Sequence, residues 1–159
     1  MKYQIVKTIT ILLITGLFTG SVFAKDNVQV VTDDLIEAVI SIDLVSLNVL
    51  LSEGADIDTL DAEGNTPLMI ASKIGNPRML RIILVHNPDV DAVNNYGETA
   101  LMIAAENGQF AVVQQLLEKG ANIHAKNNDG LTAVDVANRF GHRQVINILN
   151  RSSEEILSR

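Results

Sequence analysis

Between Phe110 and Lys119 the chain sets Val112, Val113, Leu116 and Leu117 against Gln114, Gln115 and Glu118. That spacing gives a helix with one apolar and one polar side. A shorter apolar run precedes it, with Leu101, Ile103 and Ala104 ahead of Gly108. The same frame then recurs. GNTPLMIASKIGN, GETALMIAAENGQ and GLTAVDVANRFGH begin at Gly64, Gly97 and Gly130, an offset of 33 residues each time. Thr66, Thr99 and Thr132 fall in register, as do Ala71, Ala104 and Ala137, and then Gly75, Gly108 and Gly141. Upstream, DLIEAVISIDLVSLNVLLSEGADI aligns Leu35, Ala38, Leu50, Leu51 and Gly54 with the later copies but lacks their glycine and threonine opening. Self-similarity at such a period marks a stack of supersecondary units, none of which buries its apolar face alone.

Each unit follows from local chemistry. The three threonines are placed to cap a first helix through their hydroxyls, and Pro67 suits a first helical position, where no amide partner is needed. Gly75, Gly108 and Gly141 end that helix in the left-handed region, and a second helix returns to Gly54 or Gly120. Asn87 replaces that glycine in one copy; asparagine also enters the left-handed region, and Pro88 stops further helix. DTLDAEGN, DAVNNYGE and HAKNNDGL supply polar, glycine-bearing turns that are expected to project as hairpin-like fingers. Leu68, Met69, Ile70, Leu101, Met102 and Ile103 recur with the frame and are assigned to the core.

TPLM, TALM and TAVD stand where ankyrin repeats carry TPLH, and the chain resembles that family over about residues 33–150. The resemblance implies an all-α solenoid of about four helix-turn-helix repeats with short fingers, at about 33–63, 64–96, 97–129 and 130–150, followed by a tail at 151–159. The family's histidine ties neighbouring turns together. With Met69 and Met102 in its place, a looser finger region is expected, whereas Asp135 can still accept a hydrogen bond. Ile42 occupies the place of Gly75 and Gly108, which suggests a first interhelical turn of different conformation. Asn150 stands where Leu51, Leu84 and Leu117 do, as a polar C-terminal cap requires, and the incomplete first repeat serves as the N-terminal cap.

The resemblance also implies a partner-binding face, formed by the fingers and by the two positions ahead of each first-helix glycine. Carried over to this chain, the face comprises Glu63, Asn65, Lys73 and Ile74, then Asn95, Tyr96, Glu98, Glu106 and Asn107, then Asn128, Asp129, Leu131, Arg139 and Phe140. Ile74, Tyr96, Leu131 and Phe140 are expected to offer an apolar stripe, with the two aromatic residues as anchors.

Ahead of the repeats, MKYQIVKTITILLITGLFTGSVFA has a basic head, an apolar run and small residues before Ala24. We read residues 1–24 as a signal peptide cleaved after Ala24 and 25–32 as a linker. An uncleaved membrane anchor is the alternative, for which the apolar run is shorter than the roughly 20 residues needed. Export points to the periplasm, with secretion as the alternative. The absence of cysteine removes disulfides, thiolate nucleophiles and cysteine-ligated metals, leaving stability to packing alone. The formal charge is -7; without Lys2 and Lys7, ten basic residues face nineteen acidic ones, giving -9. That balance argues against nucleic acid and favours a protein partner presenting Lys or Arg.

Catalytic chemistry finds no constellation. His86, His124 and His142 fall at different repeat positions, and no serine sits in a G-x-S-x-G elbow. The carboxylate pairs Asp33 with Asp34, Asp58 with Asp61 and Glu154 with Glu155 lie on turns and ends, and the glycines never form a phosphate loop. The expectation is a non-enzymatic, exported scaffold with no cofactor and no metal, free of the membrane once processed and monomeric until a partner binds. A role in envelope homeostasis or stress protection is what similar small exported bacterial ankyrin proteins suggest. A secreted effector or inhibitor, and a hydrolase hidden in the solenoid, are the alternatives.

Overall fold

The computed structural model describes residues 34–157, with side chains described to residue 154. The expected signal peptide and linker lie outside the described residues. Eight helices follow in four pairs: α1 (34–40) and α2 (Leu44–Ser52), α3 (Pro67–Ile74) and α4 (Pro77–Val85), α5 (Ala100–Glu106) and α6 (Phe110–Glu118), α7 (Ala133–Phe140) and α8 (Arg143–Leu157). No strand occurs among the described residues.

The helix starts and stops are where local chemistry puts them. The hydroxyls of Thr66, Thr99 and Thr132 accept from the amides of Met69, Met102 and Asp135, and Pro67 opens α3. Asp135 returns the bond, its Oδ2 accepting from the Thr132 amide at 2.9 Å and the Thr132 hydroxyl at 2.6 Å. Methionine substitutes only weakly: the Met69 sulfur lies 3.5 Å from the Thr66 amide. Asn87 sits at φ 53, in the left-handed region.

The pairs stack in two layers. First helices pack closely on one another, α3 on α5 and α5 on α7, and second helices pack less extensively, α4 on α6 and α6 on α8. Leu68, Met69, Leu101, Met102, Leu80, Ile83, Val112 and Leu116 form one continuous core with their neighbours. Ile70 packs against that core half-buried. Interior repeats thereby gain burial from both sides, while Asn150 at the C-terminal end is exposed. Residues 151–157 continue α8.

One expectation is corrected. The first interhelical turn does not differ in conformation: Ile42 has φ 58, in the same region as Gly75 at 76 and Gly108 at 66. The difference is in what lies above the turn. A Cβ on Gly75 would come within 2.1 Å of the Gln109 side chain, and one on Gly108 within 2.6 Å of His142. Gln109, His142 and Asn76 share one frame position, and the shorter Asn76 instead caps its own helix by accepting from the Arg78 and Met79 amides.

The fingers carry hydrogen bonds of their own in the absence of that histidine. Asp61, Asn94 and Asn127 fold each finger from within, each Oδ1 accepting two amides of its own loop at 2.8 to 3.0 Å. Between fingers, the Asn95 amide donates to the Glu63 carbonyl at 3.1 Å and the Asn128 amide to the Tyr96 carbonyl at 3.0 Å. The side chains of Asn95 and Asn128 add parallel bonds to the Ala62 and Asn95 carbonyls. Asparagine rungs therefore tie neighbouring fingers along this edge.

Candidate partner-binding face

The expected binding residues fall into two groups, those committed to the fold and those left free. Asn95 and Asn128 are rungs. Asn65 accepts from Asn94 Nδ2 at 3.0 Å while donating to Asp61 and Glu63, and Glu98 accepts from the same Asn94 amide at 3.1 Å. Asn107 donates to the Ile103 carbonyl, closing the end of its own helix. Ile74 packs half-buried against the core, and Leu131 is half-buried at the base of its finger. These bonds fix the positions on the face, where Asn95, Asn107 and Asn128 remain exposed.

Lys73, Asp129 and Arg139 are exposed, and Tyr96 and Phe140 expose 58% and 51% of their surface. The Glu106 side chain is half-buried. Phe140 is steadied by His142, whose ring stacks at 6.3 Å between centroids and 10° between planes. Large rings in open water offer contact area with little rotamer entropy to lose.

The apolar residues do not share one frame position. Ile74 and Phe140 flank Asn107 at one position, Tyr96 stands between Glu63 and Asp129 at another, and Leu131 follows Asn65 and Glu98 at a third. Tyr96 and Phe140 are the two of the four that expose more than half of their surface.

Two residues outside the expected set hold this face in place. His142 Nε2 lies 2.8 Å from the Glu106 carbonyl; a carbonyl only accepts, so Nε2 carries the proton. Gln109 Nε2 donates to the Lys73 carbonyl at 3.5 Å in the preceding pair. Each long side chain thus reaches back one repeat to a carbonyl at the end of a first helix, where intrahelical partners run out. The shared frame position of Gln109 and His142 was visible in the sequence; their reach was not.

Local electrostatics fit a structural use of the carboxylates. Two hydrogen bonds from Thr132, the side-chain one foremost, hold the Asp135 carboxyl below its ordinary value, and Ser46, led by its hydroxyl, does the same for Asp43 at the start of α2. No group of three or more metal-binding side chains occurs among the described residues, and none of their helices is long and apolar enough to cross a membrane.

The frame, caps and two-layer stack meet an independent comparison: the family model for ankyrin repeats, in three copies, matches residues 35–127, more than half of the chain. The chain is an ankyrin-repeat protein. No curated protein matches it. Its ankyrin repeats form an all-α solenoid and indicate a protein–protein interaction scaffold. The fourth pair, α7 and α8, continues the array beyond the matched segment.

Proposed function

We propose that this ankyrin-repeat protein is an exported, non-catalytic scaffold that holds a partner protein on its fingers and on the C-terminal ends of its first helices. The observation that carries the reading is the exposure of Tyr96 and Phe140 beside side chains already engaged in the fold. Anchors of this kind dominate binding energy, while the surrounding contacts exclude water. The acidic balance steers a partner bearing Lys or Arg, raising the association rate most at low salt. The N-terminal segment supports periplasmic delivery, and a role in the envelope is proposed with it.

Site-specific photocrosslinking at Tyr96 in living cells tests the reading. The expected result is one dominant crosslinked protein, recovered from the periplasm and absent when the crosslinker sits at the exposed Glu118 on α6. Recovery of the chain alone, or equal capture from both positions, would overturn it. Accumulation of the protein in culture fluid would move its site of action outside the producing cell.

A further inference from the structure

A groove of ≈ 570 Å³ runs between α2 and α4 in the second-helix layer, away from every residue of the candidate binding face. Val45, Val49, Ile82 and Val85 line it together with Arg78 and Arg81. α4 packs on α6 and α6 on α8, whereas α2 and α4 make fewer close backbone approaches, which leaves this first interval open. Val45 is 74% exposed, Val49 47% and Val85 69%. The exposure is particular to this place in the array: Val85 stands where the other repeats carry Ser52, Glu118 and Arg151.

Charge narrows the occupant. Arg78 and Arg81 lie one turn apart on the same side of α4, and neither guanidinium enters an ion pair among the described residues. The lining holds two guanidinium groups and no carboxylate, in a chain whose net charge is -7. A second copy is disfavoured, because a closed twofold contact through this patch would bring both arginine pairs together. A membrane surface is disfavoured too: recognition of anionic lipid generally takes clusters of about four to eight basic residues, and here there are two.

We propose that this groove docks an amphipathic helix of a partner protein, one that carries Asp or Glu beside its apolar stripe. Apolar residues at i and i+4 would pack between α2 and α4, as a third helix fills the hollow between two others, and the carboxylates would meet Arg78 and Arg81. The scaffold then has two independent faces, with fingers engaging one protein and the second-helix layer another. The arginines are exposed in the free protein, so a bidentate pair with a carboxylate gains strength as the docked helix covers it and water leaves.

The test is selection from a displayed library of amphipathic helical peptides on the purified protein, with counter-selection on the Arg78→Glu/Arg81→Glu variant. Enriched peptides are expected to place acidic residues next to an apolar i, i+4 pair. Their binding should fall about tenfold or more in the charge-reversed variant. Exchanging the peptide's acids for lysine should restore binding to that variant, and Tyr96→Ala/Phe140→Ala should leave binding unchanged, which separates this groove from the finger face. Circular dichroism checks that each variant is folded. Enrichment of neutral or basic peptides, no enrichment, or binding indifferent to charge reversal would overturn the proposal. So would arginine-dependent sedimentation with phosphatidylglycerol vesicles, or arginine-dependent dimers in the ultracentrifuge, either of which would give the groove to another occupant.

Discussion

The turn at Gly108 and the turn at Ile42 occupy equivalent places in two repeats and nearly the same backbone conformation, φ 66 and φ 58. One carries the residue best suited to that region and the other a β-branched side chain, among the least suited. The contrast lies one repeat further on. Above Gly108 sits His142, close enough to exclude a Cβ and bonded to the Glu106 carbonyl. At the equivalent place after Ile42 stands Asn76, whose short side chain caps its own helix. Gly75 and Gly108 therefore answer two demands, a left-handed backbone and room for the neighbour. The first repeat meets only the first demand and bears the strain.

The largest expected effect tests the interior from which this contrast is drawn. Leu101 is 1% exposed in the middle of the core, and Leu101→Ala should cost about 2 to 5 kcal/mol in a denaturant titration, the usual range for truncating a buried leucine. Next comes the pair Gly108→Ala and Gly141→Ala. Both glycines have positive φ, but nothing lies within 4 Å of a Cβ on Gly141. We expect about 1 kcal/mol for Gly141→Ala, from the left-handed backbone, and about 2 to 4 for Gly108→Ala, where crowding against His142 adds to it. Equal costs would break the comparison. Relieving the strained turn should act in the opposite direction, Ile42→Gly raising stability by about 0.5 to 1 kcal/mol after allowance for glycine's larger unfolded-state entropy.

The smallest effect is on pH. Asp43 and Asp135 have folded-state carboxyls held below the ordinary value of 3.8. Their contribution is thus fully present above that ordinary value and is lost as pH falls through the depressed ones. Denaturant midpoints for the wild type should decline in that acid window, and Asp43→Asn/Asp135→Asn should flatten the decline there while leaving the neutral-pH shape unchanged.

What the sequence disclosed is what is decided within a few residues or by the period. Thr66, Thr99 and Thr132 cap helices through local bonds, Asn87 enters the left-handed region that asparagine tolerates, and the 33-residue register places the core. What it hid is decided between repeats. The Ile42 turn was misjudged because its tolerance depends on Asn76. The frame position of Asn95 and Asn128 is free in sequence, and only in space does each prove to be a rung to the preceding finger as well as an exposed residue. The groove between α2 and α4 depends on how two helices stand apart, which no single helix's apolar pattern specifies.

The central claim is that frame residues hold the fold while Tyr96 and Phe140 hold the partner. Measuring the Tyr96→Ala/Phe140→Ala protein in parallel, by thermal melting and by binding kinetics against the crosslinked partner, tests that division directly. The account predicts a nearly unchanged melting temperature with affinity weakened by about 2 kcal/mol or more, as the loss of anchors entails. Unaltered affinity, or a melting temperature that falls together with the affinity, would contradict it.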